Sequence, residues 1–125
     1  MTKRLGLLLI SGTHERAHYA FVLASGAAAL GREVVLFATN AGCAALLADW
    51  SGLAGAERDA VVRERGVAGL EELREAAVEL GVRLIACEAG LRMVGIAAEG
   101  LAAGVEVAGV ASFLEAVGDG QMMSL

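Results

Sequence analysis

Val82-Arg83-Leu84-Ile85-Ala86-Cys87-Glu88-Ala89-Gly90-Leu91 decides how the rest of the chain is read. Its first five residues form an apolar run broken once, with Gly81 punctuating its start, which is the pattern of a short buried strand. The run stops at Cys87 and a helix-compatible segment begins at once, extending to about residue 98. A strand turning directly into a helix places Cys87 where the C-terminal edge of a sheet meets a helix N-terminus. The partial positive charge of that terminus favours thiolate over thiol, and thiolate is the nucleophile of sulfur chemistry. Open α/β sheets bind their ligands along the same edge. Two things weigh against an active sulfur. Glu88 sets a like charge beside it, and free cysteines most often pack as small hydrophobes.

Upstream, residues 4–10 read as a first strand, buried on both faces because apolar residues do not alternate with polar ones. Ser11-Gly12-Thr13 is the turn, with Thr13 as N-cap of a helix that Gly31 ends; Arg16 at the third helical position means no capping box. A second strand covers residues 33–38, Thr39-Asn40 supplies turn and cap, and residues 41–49 make a short helix with Leu46, Leu47 and Trp50 inward. Residues 51–69 mix glycine, alanine and charge. They predict a loop with one helical turn near residues 57–64, the most mobile part of the chain and a lid or contact surface.

Residues 70–80 give the clearest helix. Leu70, Leu73, Ala77 and Leu80 fall on one stripe, and Glu71, Glu72, Arg74, Glu75 and Glu79 on the other face. Beyond Cys87 follow a helical turn at 99–103, a fourth strand at 105–107, a helix marked by Val110, Phe113, Leu114 and Val117, and an edge strand at 121–125. Strands alternating with helices predict an α/β fold, a mostly parallel sheet of about five strands with helices on both faces.

A chain of 125 residues predicts a single domain, residues 1–125, large enough to bury a core without staples. No repeat, linker or low-complexity tract divides it. A formal net charge of -5 leaves no basic footprint, which argues against nucleic acid as a partner. Two cysteines do not make a secreted disulfide framework, and the apolar run after Lys3-Arg4 is too short for a signal peptide. The cytoplasm is the expected location, without stable membrane insertion. The helix from residue 17 to 30 is apolar around most of its circumference, more than one sheet face covers. Small residues at Ala24, Gly26 and Ala28 would admit a partner backbone, so the expectation is a homo-oligomer with this helix at the contact.

The order of several short stretches resembles one family. Gly66-Val67-Ala68-Gly69-Leu70-Glu71-Glu72-Leu73, Glu79-Leu80-Gly81-Val82, Ala86-Cys87, Met93-Val94-Gly95-Ile96 and residues 104–110 run as in the DsrE/DsrF-like sulfur-relay proteins, in the branch often labelled peroxiredoxin-like. Ser11-Gly12 and Ala27-Ala28-Ala29-Leu30-Gly31 extend the resemblance over nearly the whole chain. It implies a three-layer α/β/α domain assembled as trimers or hexamers. It also implies a cysteine, here Cys87, that carries sulfur as a persulfide between rhodanese-like or small sulfur-carrier proteins, without a cofactor. Three departures stand out. Only Met93 remains of a methionine-rich stretch, the insertion before the third helix is reduced to residues 51–65, and the last strand is weakly apolar.

Other constellations compete for attention. His14-Glu15-Arg16-Ala17-His18 spells HExxH, but it opens a helix in a small chain with no third histidine, so no metal is expected. His14 and Cys87 belong to the same sheet edge, where His14 would serve as proton acceptor for the thiol if the two met. Otherwise both histidines only decorate the helix start. Cys43 either resolves an oxidised Cys87 as a disulfide or simply packs. Arg92 either offsets Glu88 and holds an anionic persulfide or is a solvated helix arginine. The leading reading is sulfur relay through Cys87. Its rivals are a non-catalytic oligomeric binding or regulatory module and, third, a thiol peroxidase.

Overall fold

The computed structural model describes residues 3–125. Five strands, β1 (Leu5–Leu9), β2 (Val34–Ala38), β3 (Arg83–Cys87), β4 (Val105–Ala108) and β5 (Gln121–Ser124), form one sheet in the order β4-β3-β2-β1-β5. Every pairing is parallel. Five α-helices connect them: α1 (His14–Ala29), α2 (Arg58–Glu64), α3 (Leu70–Glu79), α4 (Glu88–Val94) and α5 (Val110–Val117), with 3-10 helices at Asn40–Leu46 and Ala98–Gly100.

The chain steps across the sheet in one direction from β1 to β4, and α5 then carries it back past β1 to β5. Because such crossovers are right-handed, reversing direction moves the connecting helix to the other face. The cores follow this division. Leu5, Leu7, Leu9, Val34, Leu36, Ala38, Leu84 and Ala86 pack with α1 and α3 residues such as Phe21 and Leu70. Val35, Phe37, Ile85 and Cys87 point the other way, toward Phe113 and Val117 of α5. Phe37 and Phe113 stack with ring centroids 4.9 Å apart. The three central strands are therefore buried on both sides, which is why their sequences run apolar without alternation.

Local chemistry sets the ends of α1. Thr13 caps it, its hydroxyl accepting from the Arg16 amide at 3.3 Å, and Gly31 leaves it at φ +88°. Several expectations need correction. α4 stops at Val94, not near residue 98, because Gly95 takes the left-handed conformation at φ +71°. The short helix after β2 is a 3-10 helix ending at Leu46. Arg74 does not lie on a solvated face. It is buried, and its Nη1 donates to the carbonyls of Ala45 (2.9 Å) and Leu47 (2.7 Å). Leu80, placed on the apolar stripe, is half exposed.

Residues 51–69 contain the expected helical turn, as α2, but are held more closely than a mobile loop would be. Leu53 and Asp59 are buried, and Ala54 bridges back to Thr13. The premise that the chain cannot cover α1 by itself also needs correction. Ala17, Ala20, Phe21 and Ala24 are wholly buried, and Leu23, Ala27 and Ala28 pack against the same core. Among the large apolar side chains of residues 17–30 only Tyr19 and Leu30, the C-cap of α1, are exposed. An alanine-rich helix presents so little outward apolar surface that the sheet and α3 suffice to cover it.

Candidate functional site

The C-terminal edge of the sheet is formed by the residues that follow β1, β2 and β3. Cys87 is the last residue of β3 and also the N-cap of α4. Its Sγ accepts a hydrogen bond from the Gly90 amide at 3.3 Å, taking the place a serine or aspartate oxygen usually fills at such a position. The residue is buried, with 7% of its surface exposed. Beside it, Arg92 Nη2 donates to Glu88 Oε1 at 3.1 Å across one turn of α4. This exposed pair partly offsets the like charge that Glu88 sets beside the sulfur, and leaves Arg92 engaged with Glu88.

Why α4 starts so close to β2 is a question of one missing carbon. A Cβ built on Gly90 would lie 2.5 Å from Thr39 Oγ1 and 2.6 Å from the Asn40 amide nitrogen. Only glycine permits this approach, which brings the turn after β2 onto the first turn of α4.

Cys43 lies in the 3-10 helix beside this edge, wholly buried, its thiol donating to the Ala38 carbonyl at 3.6 Å. Burial pushes its pKa up to about 11. The nearby charge of Cys87 adds to the rise, and the backbone amides of Cys87 and Cys43 oppose it. At pH 7 roughly one Cys43 in ten thousand is a thiolate. Both cysteines are free. Cys43 is therefore a neighbour of Cys87 held as a neutral thiol, poorly suited to attack an oxidised partner.

The expected meeting of His14 with Cys87 is not what the structure builds. α1 packs on the face that carries Leu84 and Ala86, whereas Cys87 joins the α5 cluster on the opposite face. His14 is buried and turned instead to Asp59, with Nε2 2.7 Å from Oδ1. The same Oδ1 accepts from the Leu70 amide at 2.9 Å, so Asp59 also caps the start of α3, and Arg63 Nε stands 3.5 Å from Oδ2. His18 is engaged through Nε2 with the Ala68 carbonyl at 2.8 Å, its ring stacked 5.5 Å from that of His14. The HExxH letters thus serve to fasten residues 54–70 to α1. Among the described residues no group of three or more His, Cys, Asp or Glu side chains is arranged to hold a metal ion. No helix among them is long and apolar enough to cross a membrane.

The sequence did not single out Asp59 or Arg74. Asp59 lies in a mixed-charge run and Arg74 among four glutamates of α3, so neither carries a local signal of burial.

Comparison with known proteins agrees with this fold. The chain is similar to the YchN protein from E. coli, with a TM-score of 0.73 and 14% identity over 99% of this chain and 100% of that one. It is also similar to MTH1491 from Methanobacterium thermoautotrophicum, a protein of unknown function, with a TM-score of 0.62 and 20% identity over 99% and 100% of the two chains. At these identities the likeness speaks for the three-layer fold alone. No curated protein matches. The model of the DsrE/DsrF/DrsH-like family matches residues 1–51 and 48–124. With nearly every residue so covered, the cysteine-capped strand-to-helix edge sits in a chain that belongs to the DsrE/DsrF/DrsH-like family.

Proposed function

We propose that this protein accepts sulfane sulfur on Cys87 and passes it to a second protein. The observation that carries the reading is the double role of Cys87, last residue of a parallel strand and cap of the next helix, with an amide N–H already directed at its sulfur. Such a donor stabilises a thiolate more than a thiol. The Cys87 thiolate attacks the outer sulfur of a donor persulfide; the S–S bond breaks and the donor leaves as a thiolate. An acceptor thiolate then attacks the outer sulfur now on Cys87, and Cys87 leaves as the thiolate it began as. No external oxidant or reductant is consumed. The donor and acceptor are proteins of rhodanese-like or small sulfur-carrier type, and the free cysteines suit a reducing cytoplasm.

Incubation with glutathione persulfide tests this directly. Intact-mass spectrometry is expected to show one added sulfur on the wild type and on Cys43→Ser, and none on Cys87→Ser. A folded wild type that gains no sulfur would favour the second reading, a non-catalytic binding or regulatory module. That reading draws its support from the near-burial of Cys87.

The same proposal includes assembly as a homotrimer or as a hexamer made from two trimers. The surface proposed for the contact is the face opposite α1, which a single eight-residue helix covers. Val110 and Leu114 on α5, Met122 on β5 and Met93 on α4 are all exposed there or at its rim. Each Å² of apolar surface left wet forgoes about 25 cal/mol, and soluble monomers seldom keep such patches. Sedimentation equilibrium at micromolar concentration is expected to give an oligomeric mass for the wild type and a monomer for Leu114→Glu. A monomeric wild type would remove assembly from the proposal.

A further inference from the structure

Asn40 is the only non-glycine residue with positive φ among the described residues, at +53°. Side chains with a β-carbon seldom adopt that conformation, and asparagine is among the few that tolerate it. A residue held there against its preference marks a place where the surrounding structure requires the turn. The turn is the one at which β2 gives way to the 3-10 helix, on the same edge as Cys87.

Three contacts connect Asn40 to the sulfur. Its Oδ1 accepts from the Thr39 hydroxyl at 3.2 Å. That hydroxyl oxygen and the Asn40 amide nitrogen form the surface on which Gly90 rests, so close that a β-carbon there would collide with both. Gly90 in turn donates its amide to Cys87 Sγ. The left-handed backbone at Asn40 therefore fixes where the first turn of α4 sits, and with it where the Gly90 N–H points.

We propose that Asn40 is a positioning residue for Cys87: its left-handed turn seats Gly90 so that the Gly90 amide stays directed at the sulfur. The inference rests on the reading of Cys87 as a nucleophile and adds to it a residue that never touches the transferred atom. If the seat shifts, the N–H···S contact lengthens and the thiolate loses a charge-assisted donor.

The test is the pH profile of iodoacetamide alkylation in a Cys43→Ser background, where Cys87 is the only thiol. Asn40→Ala, forced to place an ordinary side chain at positive φ, is expected to slow alkylation at pH 7 about five- to tenfold and to move the profile to higher pH. Asn40→Gly, which takes the same backbone conformation freely, is expected to keep the parent profile. Gly90→Ala improves helix propensity yet drives the same two surfaces apart, and is expected to reproduce the loss. It decides the matter should Asn40→Ala fail to fold.

A folded Asn40→Ala or Gly90→Ala with the parent profile would overturn the positioning role. A slowed Asn40→Gly would overturn the role of the left-handed turn. If the parent itself reacts no faster than N-acetylcysteine, the nucleophile reading falls and this inference with it. A fast parent with unmoved variants removes only the inference.

Discussion

Asp59→Ala is expected to lower the stability of the fold by about 3 kcal/mol, read as a fall in the urea midpoint at unchanged slope. Asp59 is 5% exposed and lies in a mixed-charge stretch that reads as a loop with one helical turn. Its carboxylate receives His14 Nε2 and the Leu70 amide on one oxygen and faces Arg63 on the other. Truncation strands a buried imidazole and the first amide of α3 without acceptors, each a loss of about 1–3 kcal/mol. It also unfastens α2 from α1. Asp59→Asn keeps one acceptor oxygen and is expected to cost less. A loss below about 1 kcal/mol for the alanine variant would mean that these groups find other partners.

The same carboxylate makes a pH prediction with a definite sign. Burial alone would raise its pKa, but the bonds from His14 and Leu70, with the charges of His14 and Arg63, outweigh burial and hold it below the ordinary carboxylate range. A native value below the unfolded one adds stability in full above the unfolded pKa, about 3.9, and loses it as pH falls from there through the native value. The part of the stability gap between wild type and Asp59→Asn that comes from this carboxylate is therefore expected to narrow as pH falls below about 4.

Asp59 also shows where the sequence stops being legible. The strands, Thr13 as a cap and Gly31 as a terminator were readable because each depends on a few neighbouring residues: an apolar run, an oxygen facing an amide, a glycine free to take positive φ. Burial of Asp59 and Arg74 depends on groups brought from other elements. Arg74 reads as one of a row of charges on α3, and only the packing of α3 beside the 3-10 helix presents it with the Ala45 and Leu47 carbonyls. The separation of His14 from Cys87 has a similar origin. Both belong to the same sheet edge, as their positions after β1 and β3 imply, but a side chain's face is set by strand parity, and Cys87 shares parity with Ile85. The position of Cys87 was legible. Its support, which runs through Gly90 to a strained asparagine, was not, because neither glycine nor asparagine at a turn announces what it touches.

Gly42→Ala is expected to be at least as damaging as the loss of Asp59, although it adds a single methyl group. Gly42 lies in the 3-10 helix where that helix crosses the end of β1, and its amide donates to the Ile10 carbonyl at 2.9 Å. A β-carbon there would press into the Leu9 carbonyl oxygen and sit 2.9 Å from the Leu9 carbonyl carbon. These are backbone atoms of a central strand paired on both sides, so no rotamer change relieves the contact. The 3-10 helix has to lift instead. Lifting it breaks the Gly42–Ile10 bond and moves the two carbonyls that hold Arg74. It also shifts the seat that Asn40 and Thr39 make for Gly90. Overpacking against side chains costs about 1–3 kcal/mol, and against unyielding backbone the upper end or beyond applies, about 3 kcal/mol or more. Gly26 in α1 supplies the contrast: nothing lies within 4 Å of its would-be β-carbon, and Gly26→Ala is expected to raise stability by about 0.5–1 kcal/mol through helix propensity alone. Urea denaturation of the two variants beside the wild type checks both signs at once. A Gly42→Ala protein within about 1 kcal/mol of the wild type would show that the 3-10 helix is free to ride off β1, and that the edge carrying Cys87 is held less firmly than its contacts imply.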